Sequence, residues 1–224
     1  MERKIIITDD GSTTIHLPQW DEQYHSKFGA IQEARHVFIQ MGLVKVLERE
    51  ELSEISILEI GFGTGLNALV TWQEALNKKV LIEYTGVEAY PVSSEEVEHL
   101  NFTKRLELPD AASVFEKMHK SEWETPQNIS EFFKLTKQNK FFQDISDVNK
   151  YDLIYFDAFG AGIQPDLWTE VIFEKMYKAM RTNGVLVTYA AKGSVRRAML
   201  EVGFKVERLP GPPGKREMLR ATKK

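Results

Sequence analysis

Three glycines at alternate positions, Gly61, Gly63 and Gly65, follow the apolar run Ile55-Ser56-Ile57-Leu58-Glu59-Ile60, and a helical pattern starts at Leu66. Glycine lets the chain turn sharply and approach a ligand with no Cβ in the way. A loop after the first strand of an α/β unit lies at the carboxyl end of the sheet, where open α/β folds bind ligands. The spacing is Gly-x-Gly-x-Gly. The dinucleotide fingerprint Gly-x-Gly-x-x-Gly is broken at Leu66, and there is no phosphate-loop Gly-Lys-Ser/Thr. Four acids stand near apolar runs: Glu59 inside the first, Glu88 ending Val80–Ala89, Asp144 after Lys140-Phe141-Phe142, and Asp157 ending Tyr151–Phe159. Glu33 and His36 have the spacing of half a di-iron site, but no second Glu-x-x-His matches them, so no metal is expected. His16, His99 and His119 are scattered and read as structural or exposed. The absence of cysteine excludes disulfides, thiolate catalysis and cysteine-ligated metals.

The elements that would position these groups follow from periodicity. Residues 4–18 alternate around Asp9-Asp10-Gly11 and predict a β-hairpin. From Gly29, Ile31, Ala34, Val37, Phe38 and Met41 share a helix face; Gly42 would interrupt or cap it, with a further helical turn to about Glu51. Strands are predicted at 55–60, 80–89, 140–145, 151–159 and 184–190. Helices are predicted at 66–77, from Ser93, at 165–180 with Pro165 at its start, and at 192–203 ending in Gly203. Residues 101–138 give no clear order. The last strands, 204–209 and 216–221, are joined by a short Pro/Gly turn and must be antiparallel. Alternation of strands and helices from residue 55 predicts one mostly parallel α/β sheet, Rossmann-like, with helices on both faces. The expected division is a hairpin-and-helix extension over 1–50, packed on a main domain over 51–224, in one compact unit.

With 42% hydrophobic and 28% charged residues the chain reads as soluble and globular. No apolar run approaches the ~20 residues of a membrane helix. Ile5-Ile6-Ile7 is too short for a signal-peptide core, so an uncleaved cytoplasmic protein is expected. The net charge of −4 is uneven. Lys192–Lys224 carries ten basic and three acidic residues, while the first 191 residues carry 19 and 30. This points either to a polyanionic partner at the C-terminal part or to an ordinary solvated basic surface.

Glu59-x-Gly61-x-Gly63-x-Gly65 resembles motif I of the class I S-adenosylmethionine (AdoMet) methyltransferases. That resemblance implies an AdoMet site at Glu59, Gly61, Phe62, Gly63, Gly65 and Asn67, with Glu88 on the two ribose hydroxyls and Asp144 beside the adenine. A carboxylate can accept from both hydroxyls at once. Asn67 would meet the cofactor's carboxylate or cap the helix. Five longer stretches, 21–39, 58–69, 151–168, 184–197 and 211–221, are together similar to the MnmC/MnmD methyltransferase family, which acts on 5-aminomethyl-2-thiouridine at the tRNA wobble position. The chain resembles the stand-alone form without the flavin-dependent oxidase, so tRNA is the expected partner, with no flavin and no membrane, and a monomer is the working expectation. Gly160-Ala161 departs from the proline that many members carry after Asp-Ala-Phe.

The implied reaction is methyl transfer to a primary amine. Asp157 would orient that amine and take up its proton; otherwise it is a strand-end acid holding its loop. The resemblance implies that Tyr24, His25 and Ser26 fold over the methionine end of the cofactor, although His25 and Ser26 equally suit a helix entry. Tyr189 is either a stacking face for a flipped-out uridine or a core residue. Lys192, Arg196, Arg197, Lys215, Arg216 and Arg220 are candidates for tRNA phosphates or a generic basic rim. Phe159 and Trp168 either wall the pocket or pack. The rival readings are a small-molecule amine methyltransferase, a non-catalytic RNA-binding module and, more distantly, a dehydrogenase.

Overall fold

A computed structural model describes residues 2–49 and 52–224. Strands β1 (Lys4–Ile7) and β2 (Thr13–Leu17) form the expected antiparallel hairpin, and β3 (Glu22–Gln23) adds to β2. In the turn, Gly11 has φ 78°, and Asp10 Oδ1 accepts from Thr8 Oγ1 at 2.8 Å and from the Ser12 N–H at 3.0 Å.

One continuous helix follows, α-helical over Ala30–Ala34, π-wound over Arg35–Leu43 and α-helical again over Val44–Leu47. Ile31, Ala34, Val37 and Phe38 are buried along it as their spacing predicts. Gly42 neither interrupts nor caps this helix. A Cβ there would stand 2.9 Å from Val187 Cγ2, so its lack of a side chain lets the helix lie directly on the sheet. The expected helix end near Glu51 and the boundary between residues 50 and 51 fall outside the described residues.

The main sheet has the strands β4 (Glu54–Ile60), β5 (Leu81–Val87), β6 (Gln127–Ser130), β7 (Phe133–Gln138), β8 (Tyr151–Phe156), β9 (Met180–Thr188), β10 (Lys205–Pro210) and β11 (Glu217–Thr222). Their spatial order is β10-β11-β9-β8-β4-β5-β7-β6. The five central strands are parallel. β11 runs antiparallel to β9 and β10, and β6 runs antiparallel to β7. This is the mostly parallel α/β sheet expected, with its last strand pair antiparallel. Side-chain alternation sends Ile55, Ile57, Leu153 and Tyr155 into one core with Val37, Phe38, Leu69 and Trp72. It sends Leu58, Ile60, Ile154 and Phe156 into the other with Phe173, Met176 and Met199. Helices therefore cover both faces.

Two predicted elements are corrected. Residues 140–145 form no strand: Phe142–Asp144 is a short 3-10 turn, and the third parallel strand is β7. The strand was obscured because Lys137 occupies an inward-facing position, where it is 2% exposed and donates to the His119 carbonyl at 2.7 Å. The single helix expected over 165–180 is split at Thr169, which is extended between the 3-10 turn Pro165–Trp168 and the helix Glu170–Ala179. Residues 101–138 contain the helices Phe102–Leu106 and Ala111–Lys120 as well as β6 and β7. Gly203 closes the helix Gly193–Val202 at φ 107°, as its position predicts. No helix among the described residues is long and apolar enough to cross a membrane.

Candidate active site

A cavity of about 1350 Å³ opens over the carboxyl ends of β4, β5 and β8, under the N-terminal hairpin segment. The glycine loop forms its floor. Gly61 has φ 89°, and a Cβ there would stand 2.7 Å from the Asp157 carbonyl oxygen. The N–H groups of Gly61 and Phe62 both donate to the Val87 carbonyl at 3.0 Å, which pins the loop to the end of β5. Phe62 turns back onto Gly86, where a Cβ would meet its ring at 2.4 Å. Gly65, at φ 74°, starts the helix Leu66–Lys78 and does not line the cavity.

Glu88 stands just past β5. Its Oε2 accepts the Gly63 N–H at 3.0 Å and its Oε1 accepts the Tyr90 N–H at 2.8 Å. Each oxygen keeps a further lone pair for a ligand hydroxyl. Asp144 does not join it: the shift of the third strand to β7 leaves Asp144 exposed and off the cavity, which Phe141, Phe142 and Gln143 line instead.

Asn67 couples two carboxylates. Its Nδ2 donates to Glu59 Oε1 and to Asp157 Oδ2, each at 2.8 Å. Glu59 is fully buried and does not line the cavity, so any effect of its carboxylate on a ligand passes through Asn67. Burial pushes Glu59 well above the usual carboxylate range. Asn67 offsets part of that, and the charge of Asp157 adds to it.

Asp157 follows β8 and faces the cavity. Burial raises its carboxyl from 3.8 to about 7; Glu33 pushes the same way, while the Asn67 hydrogen bond and Lys215 pull it down. Lys215, from the turn between β10 and β11, places Nζ 2.7 Å from Glu33 Oε1 and 3.8 Å from the centre of the Tyr189 ring. Tyr189 donates its hydroxyl to the Ala158 carbonyl at 2.8 Å. Phe159 lines the cavity and makes edge contacts with Trp20 at 5.8 Å and Tyr24 at 5.1 Å. This end of the cavity thus combines the Asp157 and Glu33 carboxylates, the Lys215 ammonium and aromatic walls.

The segment after β3 closes the cavity from above. Tyr24 and Ser26 line it, with Tyr24 against the position a Gly63 Cβ would take. The Ser26 N–H donates to Glu33 Oε2 at 2.7 Å. His25 spans from hairpin to glycine loop: Nδ1 pairs with Thr14 Oγ1 and Nε2 with Thr64 Oγ1, both at 3.0 Å. Burial lowers its imidazole from 6.5 to about 4, so it is neutral near pH 7.

Gly61, Phe62, Gly63, Asn67, Glu88, Asp157, Tyr24, Ser26, Phe159, Tyr189 and Lys215 therefore share one cavity. Glu59, Gly65, Asp144, Lys192, Arg196, Arg197 and Arg216 do not line it. Arg220 is held by Glu207 at 3.2 Å. Trp168 is packed inside, donating to the Phe159 carbonyl at 2.8 Å and resting on Phe156. Glu33, Trp20, Phe28 and Thr64 also line the cavity. Glu33 was visible only as half of a metal motif, and the others carried no spacing signal. No cluster of metal-ligating residues occurs among the described residues.

A family model described as S-adenosyl-L-methionine-dependent methyltransferase matches residues 113–224. The chain is 27% identical to the tRNA 5-methylaminomethyl-2-thiouridine biosynthesis bifunctional protein MnmC of Polaromonas naphthalenivorans (strain CJ2), over 98% of the chain and 36% of that protein. It thus spans about a third of the length of the curated relatives it matches. Among solved structures, MnmC2 from Aquifex aeolicus superposes with a TM-score of 0.78 at 26% identity, covering 100% of this chain and 70% of that one. A probable spermidine synthase from Corynebacterium glutamicum shares the fold, with a TM-score of 0.56 at 15% identity over 98% of this chain and 76% of that one.

Proposed function

The chain belongs to the family of S-adenosyl-L-methionine-dependent methyltransferases, and on that premise we propose that it methylates the primary amine of 5-aminomethyl-(2-thio)uridine at the wobble position of tRNA. The observation that carries this reading is the pairing, in one cavity, of a ribose-type carboxylate, Glu88, with an acidic, aromatic-walled acceptor end around Asp157. The relative named for 5-methylaminomethyl-2-thiouridine biosynthesis supports the same acceptor.

The residues present fit AdoMet. Glu88 keeps two accepting oxygens beside the glycine loop, and Asn67 lines the same cavity. With no Cβ at Gly63, the Tyr24 ring lies directly against the glycine loop. When bound, the cofactor supplies a sulfonium methyl whose C–S bonding pair stays on sulfur as an amine lone pair forms the new N–C bond.

The protein's own task is to present a neutral amine. An alkylammonium has a pKa of ~10.4 in water. Passing its proton to an ordinary carboxylate would cost about 9 kcal/mol, whereas an acceptor near 7 reduces that to about 5 kcal/mol, at 1.36 kcal/mol per unit. Asp157 is thus suited to accept an N–H, aim the lone pair and receive the proton. Asn67 holds its carboxylate in place from the second oxygen. Tyr189, Phe159 and Trp20 offer ring faces and edges to an unstacked base. Arg216, exposed beside Lys215, would meet backbone phosphate.

The test is transfer of labelled methyl from AdoMet to bulk tRNA lacking this modification, followed by nucleoside analysis. A labelled 5-methylaminomethyl-type uridine is expected. Unlabelled tRNA together with intact AdoMet binding would instead favour a small amine acceptor.

A further inference from the structure

The acceptor end of the cavity holds an ion pair that the methyl-transfer chemistry does not itself require. Glu33 comes from the helix after the hairpin and Lys215 from the turn between the last two strands, 182 positions apart in sequence. Glu33 is 8% exposed, and both its oxygens are engaged: Oε1 by Lys215 Nζ and Oε2 by the Ser26 N–H, each at 2.7 Å. Lys215 is fixed on its other side by the Tyr189 ring, and Tyr189 is anchored to Ala158, the neighbour of Asp157. A long lysine side chain held by a carboxylate and a ring face has lost the freedom of an ordinary rim lysine.

We infer that Glu33 and Lys215 are positioning residues that act through Asp157: their ion pair balances the charge at the acceptor end and so sets the pH range in which Asp157 takes up the acceptor's proton. This rests on the role proposed above for Asp157. The charged and titratable groups around that carboxylate come from every element packed on it. Glu59 at the end of β4 reaches it through Asn67, Glu88 stands past β5, and Glu22 of β3 lies near Gly160. Tyr189 follows β9, Glu33 lies on the first helix and Lys215 on the β10–β11 turn. Within this set Lys215 is the cation; Arg3, which also lines the cavity, lies 5.7 Å from the centre of the Tyr24 ring. Without it, Asp157 would face Glu33 uncompensated and hold its proton more tightly; without Glu33, it would face Lys215 alone and release the proton more readily.

The experiment is a ¹³C NMR titration of the full chain labelled at aspartate carboxyl carbons, with Asp157→Asn assigning the signal. Lys215→Met is expected to raise the Asp157 midpoint by about one unit, and Glu33→Gln to lower it by about as much. The double variant is expected to return close to wild type. The pH profiles of methyl transfer should move in the same two directions. Calorimetric AdoMet binding checks that each variant is folded. Lys215→Arg keeps the charge and is expected to hold the wild-type midpoint; a shift in that folded variant as large as one unit would assign the effect to packing. Unchanged midpoints, or shifts of the same sign in both single variants, would overturn the inference. If Asp157→Asn retains full transfer while the midpoints still move as stated, the proposed role of Asp157 fails and the charge coupling stands.

Discussion

Replacing Asp157 by asparagine isolates the cost of keeping an ionised carboxylate where the cavity meets the core. The folded protein holds this carboxyl near 7, against 3.8 for the exposed group. Between those values the folded state retains a proton that the unfolded chain has released. Stability from this group is therefore complete below about pH 3.8 and is lost as pH rises through 7. The span corresponds to at most about 4 kcal/mol at 1.36 kcal/mol per unit. Water in the cavity reaches one side of the carboxylate, which reduces the figure to about 2–3 kcal/mol. The replacement amide still accepts from Asn67 Nδ2 through its oxygen, so the packing and that hydrogen bond survive. Urea denaturation of both proteins from pH 4 to pH 8 is the assay. The two stabilities are expected to converge near pH 4 and to diverge towards pH 8 with the variant more stable. The matching rise in melting temperature above pH 7 is about 4–12 °C for a chain of this length. Acid-sensitive histidines are common to both proteins and drop out of the difference. A pH-independent gap, or a less stable variant at pH 8, would refute the reasoning.

Gly61→Ala forces a Cβ to 2.7 Å from the Asp157 carbonyl at φ 89°; a loss of about 1–3 kcal/mol and weaker AdoMet binding are expected, read by thermal melts with and without AdoMet. His25→Ala removes the bridge between Thr14 and Thr64 and should cost about 2–4 kcal/mol at pH 7, measured by denaturant titration. The His25 imidazole is held near 4 in the fold, so wild-type stability should fall as pH drops from 6.5 towards 4; without this histidine the fall should be shallower by about 1.4 kcal/mol per unit.

The sequence made the scaffold legible wherever a local rule applied. The hairpin followed from alternation and Asp-Asp-Gly, the end of the helix Gly193–Val202 from Gly203, and the last antiparallel pair from a turn too short for a crossover. Elements failed where a tertiary partner overrode the local pattern. Lys137 faces inward because the His119 carbonyl receives it, and this hid β7; the phenylalanines at 141 and 142 then imitated a strand. Gly42 read as a break because glycine disfavours helix, but its reason for being there is contact with Val187 on another element.

The same division runs through the site. Sequence alone determined the glycine loop, through glycines that the chain needs at positive φ, and it determined acids at the ends of β5 and β8, which line the cavity at the carboxyl end of the sheet. Only the tertiary structure decided what each acid does. Glu59 and Asp157 are both strand-end carboxylates, but Glu59 is sealed behind Asn67 and Asp157 opens on the cavity. Glu33 and Ser26 meet Tyr189 and Lys215 from distant parts of the chain, and the charges of Glu33 and Lys215 pair only because folding brings them together. Spacing in a sequence reports local backbone geometry; burial and charge proximity arise from contacts between elements, which no local pattern encodes.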